Sequence, residues 1–190
     1  NRSQVFGYYD HNMLVMSERI SDHLPKTEKY IPKQRLWYIR AKEVIISSGS
    51  IERPLVFGNN DTPGVMLSSA AKEYLKIYGV LVGKKPLVFT NNDSGYETAI
   101  EFKKNGIDPI ILDTRKDPNS EIIQEAKDLN INIKTSYVVV AAKGYKKVNS
   151  ADIAKLSDDK KNVSNIENIK CDCICVSGFW TPTIHLASQS

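Results

Sequence analysis

From Gln4 to Arg40 the apolar positions come in short runs broken by polar residues. QVFGYY and NMLVMS read as two strands around a turn at Asp10-His11-Asn12, and QRLWYIR (34–40) as a third after a polar loop with Pro25 and Pro32. EVIIS, within 43–48, is continuous instead of alternating, the pattern of a strand buried on both faces. GNNDTPGVM, with Gly58, Pro63 and Gly64, is punctuation and reads as a crossing between domains. Beyond it the period turns helical. Apolar residues at 67, 70, 71, 74, 75 and 78 form one face of a helix within 65–78, which Gly79 closes in the left-handed region.

The next stretch alternates. Strand 85–90, helix 94–105, strand 108–113, helix 119–129 and strand 131–134 predict a parallel sheet with right-handed crossovers. SYVVVAAKGYKKVNSADI then reads as a hairpin turning near Lys143-Gly144. Residues 156–170 are polar and read as surface loop, and CDCICVS as a last buried strand ending in a Gly-aromatic corner. The fold class expected is α/β: a Rossmann-like domain over 64–169, inserted into a second, partial dinucleotide domain made of 1–60 and 170–190 with an antiparallel meander.

Composition narrows the function classes. The 190 residues are 41% hydrophobic and 25% charged, enough for a packed core. The net charge of +4 is spread among acids, without the basic stripe and interleaved aromatics that suit nucleic acid. No apolar run approaches the roughly 20 residues of a membrane span, and no secretory leader is seen. The chain opens at Asn1 without an initiator Met and stops within a motif, so a piece of a longer polypeptide is expected. Cys171, Cys173 and Cys175 are spaced by two, which places them along one strand face as apolar fillers of a reducing, cytoplasmic protein. His11, His23 and His185 pair with no nucleophile, no metal-ligand cluster is apparent, and no catalytic residue is assigned.

The segment PLVFTNNDSGYETAIEF (86–102) has the outline of a dinucleotide turn: apolar strand, corner, helix. In such corners one glycine makes the tight turn, a second admits the pyrophosphate and a third lets helix pack on strand. The ten glycines here include no two separated by one residue, so there is no GxG, and only Gly95 keeps the packing position. Asn92 would crowd the ligand. Asp93, as N-cap, would occupy the helix amides and repel phosphate. This corner is therefore expected to keep the fold and to bind dinucleotide weakly. Asp113, ending the next strand, reads either as a ribose ligand or as a turn acid. Glu52-Arg53 reads as a surface ion pair or an interdomain contact.

A strand followed by SSG and then ERP resembles the Ala-Thr-Gly segment of two-domain flavin and disulfide reductase folds. Taken with FGYYDHN, QRLWYIRAKEVIISSGSIERPLVFGNNDTPGVMLSSAAKEYL, VFTNNDSGYETA and CDCICVSGFWTPTIHLASQS, the chain resembles, nearly end to end, the alpha subunit of heterotetrameric sarcosine oxidase. That resemblance implies a three-layer FAD/NAD(P)-binding-like fold and a cytoplasmic flavoprotein complex that oxidatively demethylates sarcosine. It implies NAD on the alpha subunit, FAD and FMN elsewhere in the complex, a folate-binding region for tetrahydrofolate, and beta, gamma and delta subunits as partners. It marks Ser48, Gly49 and Ser50, and Ser177, Gly178 and Trp180, as cofactor-binding. Two departures stand out: the glycine-rich segment for the NAD pyrophosphate and the folate region are not in this chain, and Ser47-Ser48 replaces Ala-Thr. The isolated chain should thus bind NAD poorly. Two other readings remain open, an NAD(P)H-dependent flavoprotein or disulfide reductase fragment without CxxC, and a non-catalytic interaction scaffold.

Overall fold

A computed structural model describes residues 2–26 and 28–189. It divides into two compact units, one formed by residues up to Ile51 together with those from Pro182 onward, the other by Glu52–Thr181.

The smaller unit is an antiparallel meander of β1 (Ser3–Tyr9), β2 (Met13–Arg19) and β3 (Gln34–Arg40), with β2 central. His11 and Asn12 turn the first corner at φ 59° and 55°, a left-handed conformation that Asn and His tolerate better than most residues. The second expected strand of the QRLWYIRAKEVIISS run does not form. Residues 41–49 lie outside regular secondary structure, and Ile45 is 90% exposed. An apolar run forms a strand only when a neighbouring strand pairs with it, and among the described residues none does. Val44, Ile45 and Ile46 instead border an apolar groove of about 260 Å³ with Val5, Tyr8 and Leu14.

The larger unit is built in three layers. After β4 (Ser50–Arg53) come β5 (Val65–Leu67), α1 (Ser68–Tyr78), β6 (Pro86–Thr90), α2 (Ser94–Lys104), β7 (Ile110–Asp113), α3 (Glu121–Asp128) and β8 (Asn132–Thr135). Next follow β9 (Tyr137–Lys143), β10 (Ser150–Leu156), β11 (Val163–Ile169), β12 (Cys173–Ser177) and β13 (Phe179–Pro182). The central sheet is parallel, in the order β5-β12-β6-β7-β8. An antiparallel sheet β11-β10-β9 covers one face, and the three helices cover the other.

The period of two along each buried strand sorts side chains between these layers. Leu87, Phe89, Ile174 and Val176 join Val139, Ala142 and Ile153 in the core under the antiparallel sheet. Val88, Ile111, Cys173 and Cys175 join Tyr96, Ala99, Phe102 and Ile123 under the helices. Strands buried on both sides need continuous apolar runs, which is why PLVFT and CICVS are legible in the sequence.

Three expectations are corrected here. Residues 163–169 form a strand, not a loop; it is an edge strand whose side chains are nearly all exposed, so its hydrogen bonds place little demand on composition. Cys171 does not share a face with Cys173 and Cys175; it precedes β12 and packs in the opposite core. Burial pushes its thiol up to about 12. The 170–190 segment is not one piece of the first domain, since β12 lies between β5 and β6 in the larger unit's central sheet.

Glu52 is also not a surface residue. It is 4% exposed, and its Oε2 accepts the Ser69 backbone N–H at 2.9 Å and the Ser69 hydroxyl at 2.6 Å. A carboxylate there satisfies a free amide of α1 and complements the helix dipole. Glu52→Ala should lower stability by about 1–2 kcal/mol, measured by denaturant midpoint. Glu52→Gln should recover part of that loss by keeping an acceptor oxygen.

Candidate functional site

The crevice of an open α/β sheet lies at the carboxyl ends of strands where the chain order switches direction. In the larger unit this is the gap between β6, which leads on to β7, and β12, which returns from the far end of the sequence. Thr90 ends β6 at the register of Ser177, which ends β12. The residues after both strands meet here.

They fill the gap with one another. The Asn92 side-chain NH₂ donates to the Gly178 carbonyl at 2.6 Å, and also approaches the Ser177 carbonyl and the Asn91 Oδ1 at 3.3 and 3.0 Å. Its Oδ1 accepts the backbone N–H of Ser94 at 2.9 Å and the Ser94 hydroxyl. Trp180 donates its indole N–H to Ser94 Oγ at 2.9 Å, and Ser177 Oγ lies 3.3 Å from the same oxygen. Thr90 Oγ1 accepts from the Asn92 N–H and donates to its carbonyl, locking the turn. The first free amide of α2 therefore has a partner from its own chain, in the position where a pyrophosphate oxygen would sit.

The expected plug was Asp93, and that is corrected. Asp93 has helical backbone angles and makes no side-chain capping bond; Asn92 supplies the cap. The Asp93 carboxylate turns to Arg115, with Nη1 to Oδ1 at 2.8 Å. The Asp93 charge is thus only partly offset, because the one guanidinium is shared between Asp93 and Asp113. The Asn92 cap on the Ser94 amide and the bulk of Asn92 and Trp180 fill the corner. Either Asx residue can cap a helix, and the deciding contact comes from 22 residues downstream, so local sequence could not separate them.

Gly95 does serve packing. A Cβ there would lie 2.6 Å from Thr90 Cβ and 2.7 Å from its Oγ1. Gly178 is held as tightly, since a Cβ would come within 2.6 Å of the Arg53 carbonyl oxygen that its own N–H binds at 2.8 Å.

Asp113 is fully buried and its oxygens are taken. Tyr96 Oη donates to Oδ2 at 2.8 Å, the Arg115 backbone N–H to Oδ1 at 2.8 Å, and Arg115 Nη2 to Oδ2 at 2.8 Å. Of its two readings, the turn acid is the one that fits these contacts. Burial, then the hydrogen bond to Asp113, raises the Tyr96 phenol well above its ordinary range. Burial works against the charge on Arg115, but hydrogen bonds to Asp113 and Asp93 raise it above its usual value. The group is a closed polar unit under the corner, and sequence reasoning found only Asp113 because Tyr96 reads as an ordinary core aromatic.

The other site residues lie in the smaller unit. Gly49 has φ 71°, and a Cβ there would meet nothing within 4 Å, so its role is backbone conformation rather than close approach. Its carbonyl accepts the Thr183 N–H at 2.9 Å, and the Ser48 hydroxyl donates to the Thr183 carbonyl. Ser50 is exposed. Ser177, Gly178 and Trp180 are brought together around Asn92 and Ser94, whereas Ser48 and Gly49 bond to Thr183 within the smaller unit. Ser177 and the Gly178 carbonyl make hydrogen bonds within their own chain, to Asn92 and Ser94. Among the described residues no group of three or more His, Cys, Asp and Glu could hold a metal.

The chain is 35% identical over 187 residues to sarcosine oxidase subunit alpha of Rhizobium meliloti, covering 98% of this chain and 18% of the relative. Against the same subunit of Corynebacterium sp. strain U-96 it is 34% identical over 191 residues, covering 99% and 20%. This chain is a homologue of one segment of sarcosine oxidase subunit alpha. It spans about a fifth of the length of the curated alpha subunits it matches. No protein-family model matches the sequence.

Solved structures bear out the fold expected of this alpha-subunit homologue. Lactococcus lactis thioredoxin reductase superposes with a TM-score of 0.64 at 19% identity, covering 98% of this chain and 55% of that one. T. acidophilum thioredoxin reductase gives 0.63 at 17%, with 83% and 51% covered. A NAD-dependent persulfide reductase from A. fulgidus gives 0.63 at 14%, with 98% and 32% covered. The α/β, three-layer FAD/NAD(P)-binding-like architecture is thereby established for the alpha-subunit homologue.

Proposed function

We propose that this chain is the reductase-like segment of a sarcosine oxidase alpha subunit, contributing fold, cofactor surroundings and subunit contacts to a complex that oxidatively demethylates sarcosine. The single observation that carries this is the 35% identity across 98% of the chain. In this reading NAD is bound by the alpha subunit at a site that this chain holds only in part. FAD, FMN and tetrahydrofolate are bound elsewhere in a cytoplasmic heterotetramer, and beta, gamma and delta subunits are the partners. Ser48, Gly49 and Ser50, and Ser177, Gly178 and Trp180, are the candidates to line a cofactor. No side chain of this segment acts on the amine, and alone it is inactive.

The filled corner supports the choice of oxidase segment over a working reductase domain. A pyrophosphate would have to displace Asn92 from the Gly178 carbonyl and from the Ser94 amide to reach that donor. Titrating the chain with NADH and NADPH, followed by nicotinamide fluorescence, should give Kd values weaker than about 100 µM. Submicromolar affinity would instead favour the reductase reading. The oxidase assignment is tested separately: the polypeptide carrying this segment in its genomic reading frame should co-purify with a flavin-bearing partner and show sarcosine-dependent formaldehyde release. Purification of that polypeptide alone, without flavin or turnover, would leave the scaffold reading standing.

A further inference from the structure

At the amino ends of β6, β7 and β8, on the opposite edge of the parallel sheet from the filled corner, lies an open groove of about 550 Å³. Its floor is apolar, with Pro86, Ile107, Pro109 and Ile131, and Lys84, Lys85, Lys103 and Lys170 stand around it. These lysines come from three places in the chain: the loop before β6, the last turn of α2 and the link between β11 and β12.

The charge is largely uncompensated. Asp108 pairs with Lys103. The Asp172 carboxylate accepts the backbone N–H groups of Lys84 and Lys85, both at 2.8 Å, which holds that loop in place and leaves the two side chains free to point outward. Among the described residues, no carboxylate lies within ion-pair distance of the ammonium groups of Lys84, Lys85 or Lys170. Five other lysines of this unit are ion-paired, Lys72 with Glu97, Lys104 with Glu125, Lys116 with Asp158, Lys134 with Glu167 and Lys143 with Asp152. Among the described residues, exposed ones such as Lys76, Lys127 and Lys155 are not. What distinguishes Lys84, Lys85 and Lys170 is that they share the rim of one groove. Three unmatched lysines around one groove make a local positive field, which steers oppositely charged partners toward it.

We propose that this groove docks an extended acidic polypeptide segment, with apolar side chains on the floor and carboxylates meeting Lys84, Lys85 and Lys170. The lysine stems are apolar and the heads charged, which suits an amphipathic occupant. Asn130 and Asn132 also line the groove and offer amide donors and acceptors for a peptide backbone. No aromatic side chain lines it, so the stacking platforms of single-stranded nucleic-acid sites are missing. The edge itself matters too, since small ligands of such sheets gather at the carboxyl ends. The amino-end groove is left for a macromolecular contact.

The test uses the whole chain and a fluorescein-labelled peptide of about 12 residues that alternates Glu pairs with Leu, a length that spans a groove of this class. Fluorescence anisotropy should show saturable binding that weakens with salt. K84E/K85E/K170E should weaken it about tenfold or more, while K146E/K147E, on the exposed hairpin beyond β9, should leave it unchanged. In the unsubstituted protein, the peptide should shield Lys84, Lys85 and Lys170 from acetylation and not Lys146 or Lys147. Absence of saturable binding, equal loss in both variants, or unshielded groove lysines would overturn the proposal. So would tighter binding of a single-stranded oligonucleotide of equal charge to the same lysines.

Discussion

Asp113→Ala should destabilise the larger unit by about 3 kcal/mol, enough to move its denaturation midpoint well outside the spread of ordinary surface substitutions. The carboxylate is fully buried at the end of β7 and accepts from the Tyr96 hydroxyl, the Arg115 backbone amide and the Arg115 guanidinium. Its removal strands a buried phenol and a half-desolvated cation at once. Breaking a buried pair in this way typically costs about 3–5 kcal/mol. The lower end applies here, because the Arg115 side chain keeps 32% of its exposure and retains Asp93 as a partner.

Tyr96→Phe provides the internal comparison. It deletes one donor and leaves Asp113 bound by Arg115, so about 1 kcal/mol is expected. Urea melts followed by circular dichroism, with the slope checked for constancy, distinguish the two. Equal losses for both variants would mean that the hydroxyl, and not the ion pair, holds the network together. A loss below about 1 kcal/mol for Asp113→Ala would mean that Arg115 rehydrates freely and that the network is not closed.

Gly95→Val should cost about 3 kcal/mol, at or beyond the upper range for overpacking a core. The clash lies between α2 and β6: even the first added carbon would sit 2.6 Å from Thr90 Cβ. Neither partner can yield easily. Thr90 is fully buried in β6, between β12 and β7, and its hydroxyl is tied to both the N–H and the carbonyl of Asn92. Helix propensity acts in the opposite direction, since glycine within a helix is unfavourable by about 1 kcal/mol relative to alanine. Gly95→Ala therefore separates the two effects. If packing dominates, it lowers stability despite the better helix former; a gain would show that α2 can lift away from the sheet. Lifting the helix would also pull Ser94 from Asn92 and Trp180, so loss of the Trp180 fluorescence environment should accompany the destabilisation.

Both predictions concern contacts beneath the corner, and they mark where reading the chain by eye stops. Helix α1, its Gly79 cap and the buried strands β6 and β12 are legible because each follows from a local rule: period 3.6, a left-handed end, an unbroken apolar run. The role of Gly95 is legible too, since strand, corner and helix in that order leave one position where a helix must touch a strand. Edge strand β11 is not, because a strand that buries little imposes little on its composition. Glu52 reads as half of a surface ion pair or as an interdomain contact, yet it caps a helix that starts 16 residues later.

The amino-acid sequence by itself determined the alternation of buried strands with helices over 85–134 and the loss of the glycines that a dinucleotide turn requires, because sterics and periodicity act between near neighbours. Only the tertiary structure decided what occupies the vacated corner: Asn92, bound to a carbonyl 86 residues away, with Asp93 turned aside to Arg115. Hydrogen bonds between residues so distant along the chain depend on where the strands end in space, and no local pattern encodes that.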